Sequence, residues 1–274
     1  MRPFWDVIQW EVDALLADNS AQTIAVYFRD LKNGPWFGIN ENTTFTPSSL
    51  LKVPLMMDIL KRAEHDASLL RKKIRYEGRE DITQQQFFKP KETLRPGSWY
   101  TVDNLIFRMI AYSDNNATRL LDANNGLDRI RDFMAELNIP FDVRKTEECI
   151  TVRDYSAFFR VLFNASYLNH DMSEKALNYL SRSTFEHGIR AGLPPGTTAA
   201  TKFGEFSSTK DGVMEYQLSE SGIVYYPDHP YLLGIVTKGP YHDSLPAVIA
   251  EISHAVYREV DRQHGKYFHV YGED

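Results

Sequence analysis

Ser49 and Lys52 stand three residues apart at the front of the most apolar stretch of the chain, Leu50 to Leu60, which is interrupted only by Lys52 and Asp58. On a helix that spacing puts both side chains on one face, and a helix apolar on every side is a buried one. Burial disfavours the charged form of a lysine, and a neutral amine can take the proton of a serine hydroxyl and make it a nucleophile. The same pair also fits a lysine that snorkels to the surface beside a serine near a helix start. It recurs at Ser207 and Lys210 among polar residues, so the spacing needs company before it means chemistry.

Two further groups supply it. Ser113-Asp114-Asn115 lies between an apolar helical pattern from Thr101 to Tyr112 and another that opens at Asn116-Ala117-Thr118. Such a trio also serves as an ordinary helix cap. Lys202-Phe203-Gly204 falls in the first strand-like run after a long helical region, although a lysine two residues before a glycine also occurs at Lys32 and Lys210. The weight lies in the conjunction: the three groups fall in one order, on a helix start, an inter-helix loop and a strand respectively.

The elements that must position these groups follow from periodicity. Trp5, Ile8, Val12, Leu15 and Leu16 share one helical face, and Ala21 to Leu31 with Trp36 to Ile39 reads as a hairpin across Lys32-Asn33-Gly34-Pro35. Pro54 predicts a bent or tightened first turn around Ser49, because it offers no N–H and crowds the preceding turn. Residues 78 to 100 read as a long loop. Helical patterns then run through Thr101–Tyr112, Ala117–Leu121, Leu127–Leu137, Val152–Phe163 and Ser173–Leu180, and strands are expected at Ala199–Phe203, Gly222–Tyr226 and Tyr231–Lys238. A closing helix carries Leu245, Ile249, Ile252, Val256 and Val260 on one stripe. The pattern is α+β, with the sheet assembled from both chain ends.

Composition narrows the function. A net charge of −6 argues against a nucleic-acid partner, and no run is long and apolar enough to span a bilayer. Cys149 is the only cysteine, which excludes an intramolecular disulfide and a cysteine-rich metal site. Four of the eight histidines, His242, His254, His264 and His269, lie near the C-terminus without metal-ligand spacing. No metal or other cofactor is expected. No GxSxG elbow, HExxH or phosphate-binding glycine loop occurs.

With SxxK at Ser49–Lys52, SDN at Ser113–Asn115 and a KTG-like KFG at Lys202–Gly204, the chain resembles the class A β-lactamase and penicillin-binding-protein superfamily of active-site serine hydrolases. The likeness extends to Tyr112-Ser113-Asp114-Asn115-Asn116-Ala117 and to the Gly222–Pro227 strand. It implies an antiparallel sheet flanked by N- and C-terminal helices plus an all-α lobe. Residues 1–60 and 191–274 would form the discontinuous α/β lobe, and 61–190 the all-α lobe. Ser49 would be the nucleophile, Lys52 its base, and Ser113 the proton relay to the leaving nitrogen. Asn115 would bind the substrate amide and hold Lys52. Lys202 would supply positive charge, and the backbone N–H groups of Ser49 and Glu205 would form an oxyanion hole. The implied partner is a β-lactam or a cell-wall peptide ending in a D-amino acid, and the implied location is extracytoplasmic, which the sequence alone leaves open.

Two departures qualify this expectation. Phe203 stands where the family carries a hydroxyl that meets the substrate carboxylate. The family's Glu on an omega-shaped loop, followed four residues later by Asn, has no counterpart between Asn138 and Thr151, where the carboxylates are Asp142, Glu147 and Glu148. Glu148 is the candidate for a displaced deacylation base, and acids in that position also suit a helix N-terminus. The expectation is an acyl-enzyme that deacylates slowly. The alternatives are a true β-lactamase, or an idle relative that binds cell-wall peptide or protein.

Overall fold

The computed structural model of the protein describes residues 3–125, 129–141, 147–210 and 212–265. Its elements are, in chain order, α1 (Phe4–Ala17), β1 (Thr23–Asp30), β2 (Trp36–Ile39), β3 (Thr44–Phe45), α2 (Lys52–His65), α3 (Ser68–Arg71), β4 (Lys73–Arg75), β5 (Trp99–Thr101), α4 (Val102–Ala111), α5 (Asn115–Asn125), α6 (Arg129–Glu136), β6 (Ile150–Thr151), α7 (Val152–Phe163), α8 (His170–Ser181), β7 (Ala199–Lys210), β8 (Val213–Val224), β9 (Tyr231–Gly239) and α9 (Leu245–His264).

Five strands form one antiparallel sheet in the order β2-β1-β9-β8-β7. β1 pairs with β9 from Thr23 opposite Lys238 to Asp30 opposite Tyr231, so the two ends of the chain meet in the middle of the sheet. The residues of these strands are buried on both sides. Ile24, Val26, Leu233 and Ile235 pack under α1 and α9, whereas Ala25, Tyr27, Leu232 and Val236 face the helical segment. The α+β class expected from the sequence is the observed one.

α2 runs through the centre of the helical side, with Val53, Leu55, Met56, Met57, Ile59 and Leu60 all fully buried. Pro54 is harmless there, because it falls in the first turn, where N–H groups have no intrahelical partner. The preceding turn, Ser48–Leu51, is wound as a 3-10 helix, the tightening that the proline predicts. Thr101 and Thr151 cap α4 and α7 by accepting from the N–H groups of Asn104 and Asp154.

The structure departs from the sequence reading in the length of one hairpin. β7 and β8 each span 12 residues and pair without a break from Ala199 opposite Val224 to Lys210 opposite Val213. Their tips, Ser207–Lys210 and Val213–Glu215, are polar or exposed, so apolar patterning marks the inner parts. Between the two strands Gly212 has φ +79°, a conformation glycine adopts without penalty. Two small pairings, β3 with β6 and β4 with β5, are too short to leave a period. The helix expected from Leu127 begins outside the described residues, as do Asp142 and His269.

Candidate active site

Ser49 lies on the 3-10 turn and Lys52 is the first residue of α2. Two anchors fix this corner. The hydroxyl of buried Tyr155 on α7 donates to the carbonyl of Leu50 at 2.9 Å. Gln217 on β8 accepts from the N–H of Thr46 and donates to its carbonyl, at 3.1 and 2.7 Å. Ser48 has φ +45°, an uncommon conformation for a residue with a side chain, held here by the surrounding contacts.

Lys52 is only 4% exposed. Its Nζ donates to the Ser113 carbonyl at 2.8 Å, to Ser113 Oγ at 3.2 Å and to Asn115 Oδ1 at 2.6 Å. Burial lowers its pKa to about 7, against the opposing pull of the Asp114 and Glu205 carboxylates. Three contacts match the three protons of the ammonium; loss of one proton frees one contact and exposes a lone pair. Among the described residues no hydrogen bond joins Ser49 to Lys52, but both line one cavity of about 460 Å³.

Ser113, at φ +53° in the α4–α5 loop, is 1% exposed. Its Oγ also accepts from Lys202 Nζ at 2.9 Å. Both lone pairs of the hydroxyl are thus taken by lysine N–H groups, leaving its own O–H to donate to a third partner. The loop is held by Asp114, whose Oδ1 accepts from the N–H groups of Asn116 and Ala117 at 2.8 and 3.1 Å and so caps α5. Burial raises the Asp114 pKa.

Lys202 sits on β7, fully buried, and also donates to the Phe203 carbonyl at 2.8 Å. Its pKa is depressed, first by burial and then by the charge on Lys52. Phe203 does not line the cavity. Its ring stacks on Phe185 at 4.1 Å between centroids, meets Phe88 edge-on at 5.7 Å, and lies 4.1 Å beneath Lys202 Nζ. Gly204 does not line the cavity either; it brings the edge strand β7 against the 3-10 turn, because a β-carbon there would meet Leu50 and Pro47.

Glu205 does line the cavity, with Asn115, Phe206 and Ser207. Its two carboxylate oxygens accept from the N–H groups of Phe87 and Phe88 at 2.8 and 3.3 Å, and His242 stands 4.0 Å away. Burial raises its pKa. Glu148 lies elsewhere. It accepts from Lys238 Nζ at 2.5 Å, its N–H donates to Thr46 Oγ1 at 3.1 Å, and its side chain is half-exposed off the cavity wall. Glu147 is exposed.

Sequence reasoning missed three contributors. Gln86 donates to the Ser113 carbonyl at 3.1 Å and, with Gln85 and Phe87, walls the cavity; two adjacent phenylalanines in an otherwise polar loop, Phe87-Phe88, were the available signal that this segment docks. The carboxylate of Glu205, as distinct from its backbone, was the second. The third is Glu220 on β8, fully buried, which accepts from the Ile189 N–H at 2.8 Å and whose pKa burial raises to about 7.

Comparison with known proteins agrees in its coverage. A model of the Beta-lactamase enzyme family matches residues 8–260. Among solved structures, PBP-A is similar at 21% identity, with a TM-score of 0.76 over 95% of this chain and 98% of that one. A mutant of PBP-A, solved as an acyl-enzyme complex with penicillin G, gives the same values. A class A beta-lactamase from Mycobacterium abscessus is similar at 22% identity, with a TM-score of 0.77 over 92% and 99%. No curated protein matches the sequence.

Proposed function

Because the chain belongs to the Beta-lactamase enzyme family, we propose that it is a serine acyl-transfer hydrolase in which Ser49 attacks the carbonyl of a β-lactam or of a cell-wall peptide ending in D-amino acids. Neutral Lys52 takes the Ser49 proton, and Ser113 passes a proton to the departing nitrogen. Lys202 holds positive charge against Ser113, and Asn115 orients both Lys52 and the substrate amide. The N–H groups of Ser49 and Glu205 stabilise the tetrahedral oxyanion. The observation that carries this reading is the Ser113 hydroxyl held between Lys52 at 3.2 Å and Lys202 at 2.9 Å, beside a cavity that contains Ser49. A lysine whose pKa lies near 7 is matched to base catalysis at neutral pH.

Deacylation is slow in this proposal. Among the described residues the one carboxylate on the cavity wall is Glu205, and both its oxygens are occupied by backbone N–H groups. Glu148 faces Lys238 instead. With Phe203 turned into aromatic packing, strand β7 offers no hydroxyl at that position to a substrate carboxylate, so small anionic penicillins bind weakly before they react.

Intact-protein mass spectrometry after mixing with benzylpenicillin tests the proposal. A persistent adduct on the peptide containing Ser49, absent from Ser49→Ala, is expected. Rapid destruction of the drug without an adduct would show an efficient β-lactamase, and survival of the unmodified drug and protein would point to the idle relative or a different substrate.

A further inference from the structure

At the end of the sheet opposite the β7–β8 hairpin tip, three side chains from separate elements converge: Asp30 at the end of β1, His229 in the β8–β9 connection, and His264 at the end of α9. One ligand atom of each lies within 4.8 Å of the others. They line a cavity of about 260 Å³ that also touches Asn33 and Gln263. It shares no residue with the cavity that contains Ser49.

We propose that Asp30, His229 and His264 bind a divalent d-block cation, with zinc as the reference ion. Asp30 is already oriented for it. Its Oδ1 accepts from the N–H groups of Lys32 and Asn33 at 2.7 and 2.9 Å, which points Oδ2 at His229. The fixed carboxylate is the kind of outer support that metal ligands require. His229 Nδ1 is buried and has no hydrogen-bond partner, although it lies only 3.7 Å from Asp30 Oδ2. That separation is too long for a hydrogen bond. It is near the roughly 3.4 Å edge of a tetrahedron whose ligands stand about 2.0–2.2 Å from zinc.

The rings of His229 and His264 stack with centroids 3.6 Å apart and planes 13° from parallel. Two parallel imidazoles cannot both aim an in-plane lone pair at one point, so binding requires one ring to turn about χ2. In this proposal His264, half-buried on the last turn of its helix, is the ring that turns. Two imidazoles and a carboxylate leave a fourth position for water, and that donor set suits zinc, cobalt or nickel over magnesium or calcium. The ion would join the first strand, the β8–β9 connection and the last helix.

The test is titration of untagged, chelator-treated protein with zinc and, separately, with cobalt. One equivalent should bind, with the visible absorption of low-symmetry cobalt and a raised unfolding temperature in zinc. His229→Ala and His264→Ala should each weaken binding at least tenfold while penicillin labelling at Ser49 stays as in the wild type. Because labelling and metal binding are read separately, a failure of either proposal leaves the other standing. No metal uptake by the wild-type protein, or uptake by either variant as tight as that of the wild type, would overturn the site.

Discussion

A β-carbon placed on Gly204 would stand 2.8 Å from the carbonyl oxygen of Pro47 and 3.2 Å from the amide nitrogen of Leu50. Both partners are backbone and neither can swing away. The strand that carries Lys202 and the turn that carries Ser49 are therefore as close as they can be, and only glycine permits it. Gly204→Ala should push them apart by a few tenths of an ångström and slow acylation by about 10–100-fold, since misplacement on this scale is costly in a preorganised site. Time-resolved mass spectrometry of adduct formation reads this directly; an unchanged rate in a folded variant would show that the contact does not set the geometry.

The pH dependence of acylation follows from Lys52. Below its pKa of about 7 the amine is protonated and cannot accept a proton from Ser49, so the rate should rise with pH through that value. The Asp114 carboxylate favours the charged amine. Asp114→Asn, which keeps an oxygen for the α5 cap, should move the inflection to lower pH. A shift upward would assign the inflection to another group.

Glu220 makes a prediction about stability. Its pKa is raised from 4.5 to about 7 by burial, so between those values the folded protein retains a proton that the unfolded chain has released. The native state is then favoured most at low pH and loses stability as pH rises through about 7, by on the order of 3 kcal/mol from this one group. Glu220→Gln cannot ionise and should be spared this loss. Urea midpoints of both proteins at pH 5 and pH 8 give the comparison, and parallel changes in the two would remove Glu220 as the cause.

Glu148 faces Lys238 and does not line the Ser49 cavity. Glu148→Gln should leave the lifetime of the penicillin adduct within about twofold, because a base that activates the deacylating water must stand within hydrogen-bond reach of it and Glu148 is off the cavity wall. An adduct that lives ten times longer in the variant would identify Glu148 as the base that activates water.

How much of this was legible beforehand depended on the length scale of each signal. The two halves of the sheet, the helical region between them and the tightened turn at Ser49 follow from periodicity and Pro54. The Ser49–Lys52, Ser113–Asn115 and Lys202–Gly204 groups carry the resemblance. The direction of Phe203 was not legible, since a strand residue points to one face or the other only once register is set. Nor was Glu220, whose importance comes from the absence of water around it, or the Asp30–His229–His264 cluster, whose members are separated by most of the chain and carry no spacing to read.

The pairing of β1 with β9 has a temporal side. About 200 residues separate the partners, so on a ribosome adding roughly 5–20 residues per second the β1–β2 hairpin waits some 10–40 s before β9 can dock. Until then an apolar strand edge stays open, and the β7–β8 hairpin that carries Lys202 has no strand joining it to β1. Non-local closure of this kind is slow, and acylation competence should emerge last, as the final step of native assembly.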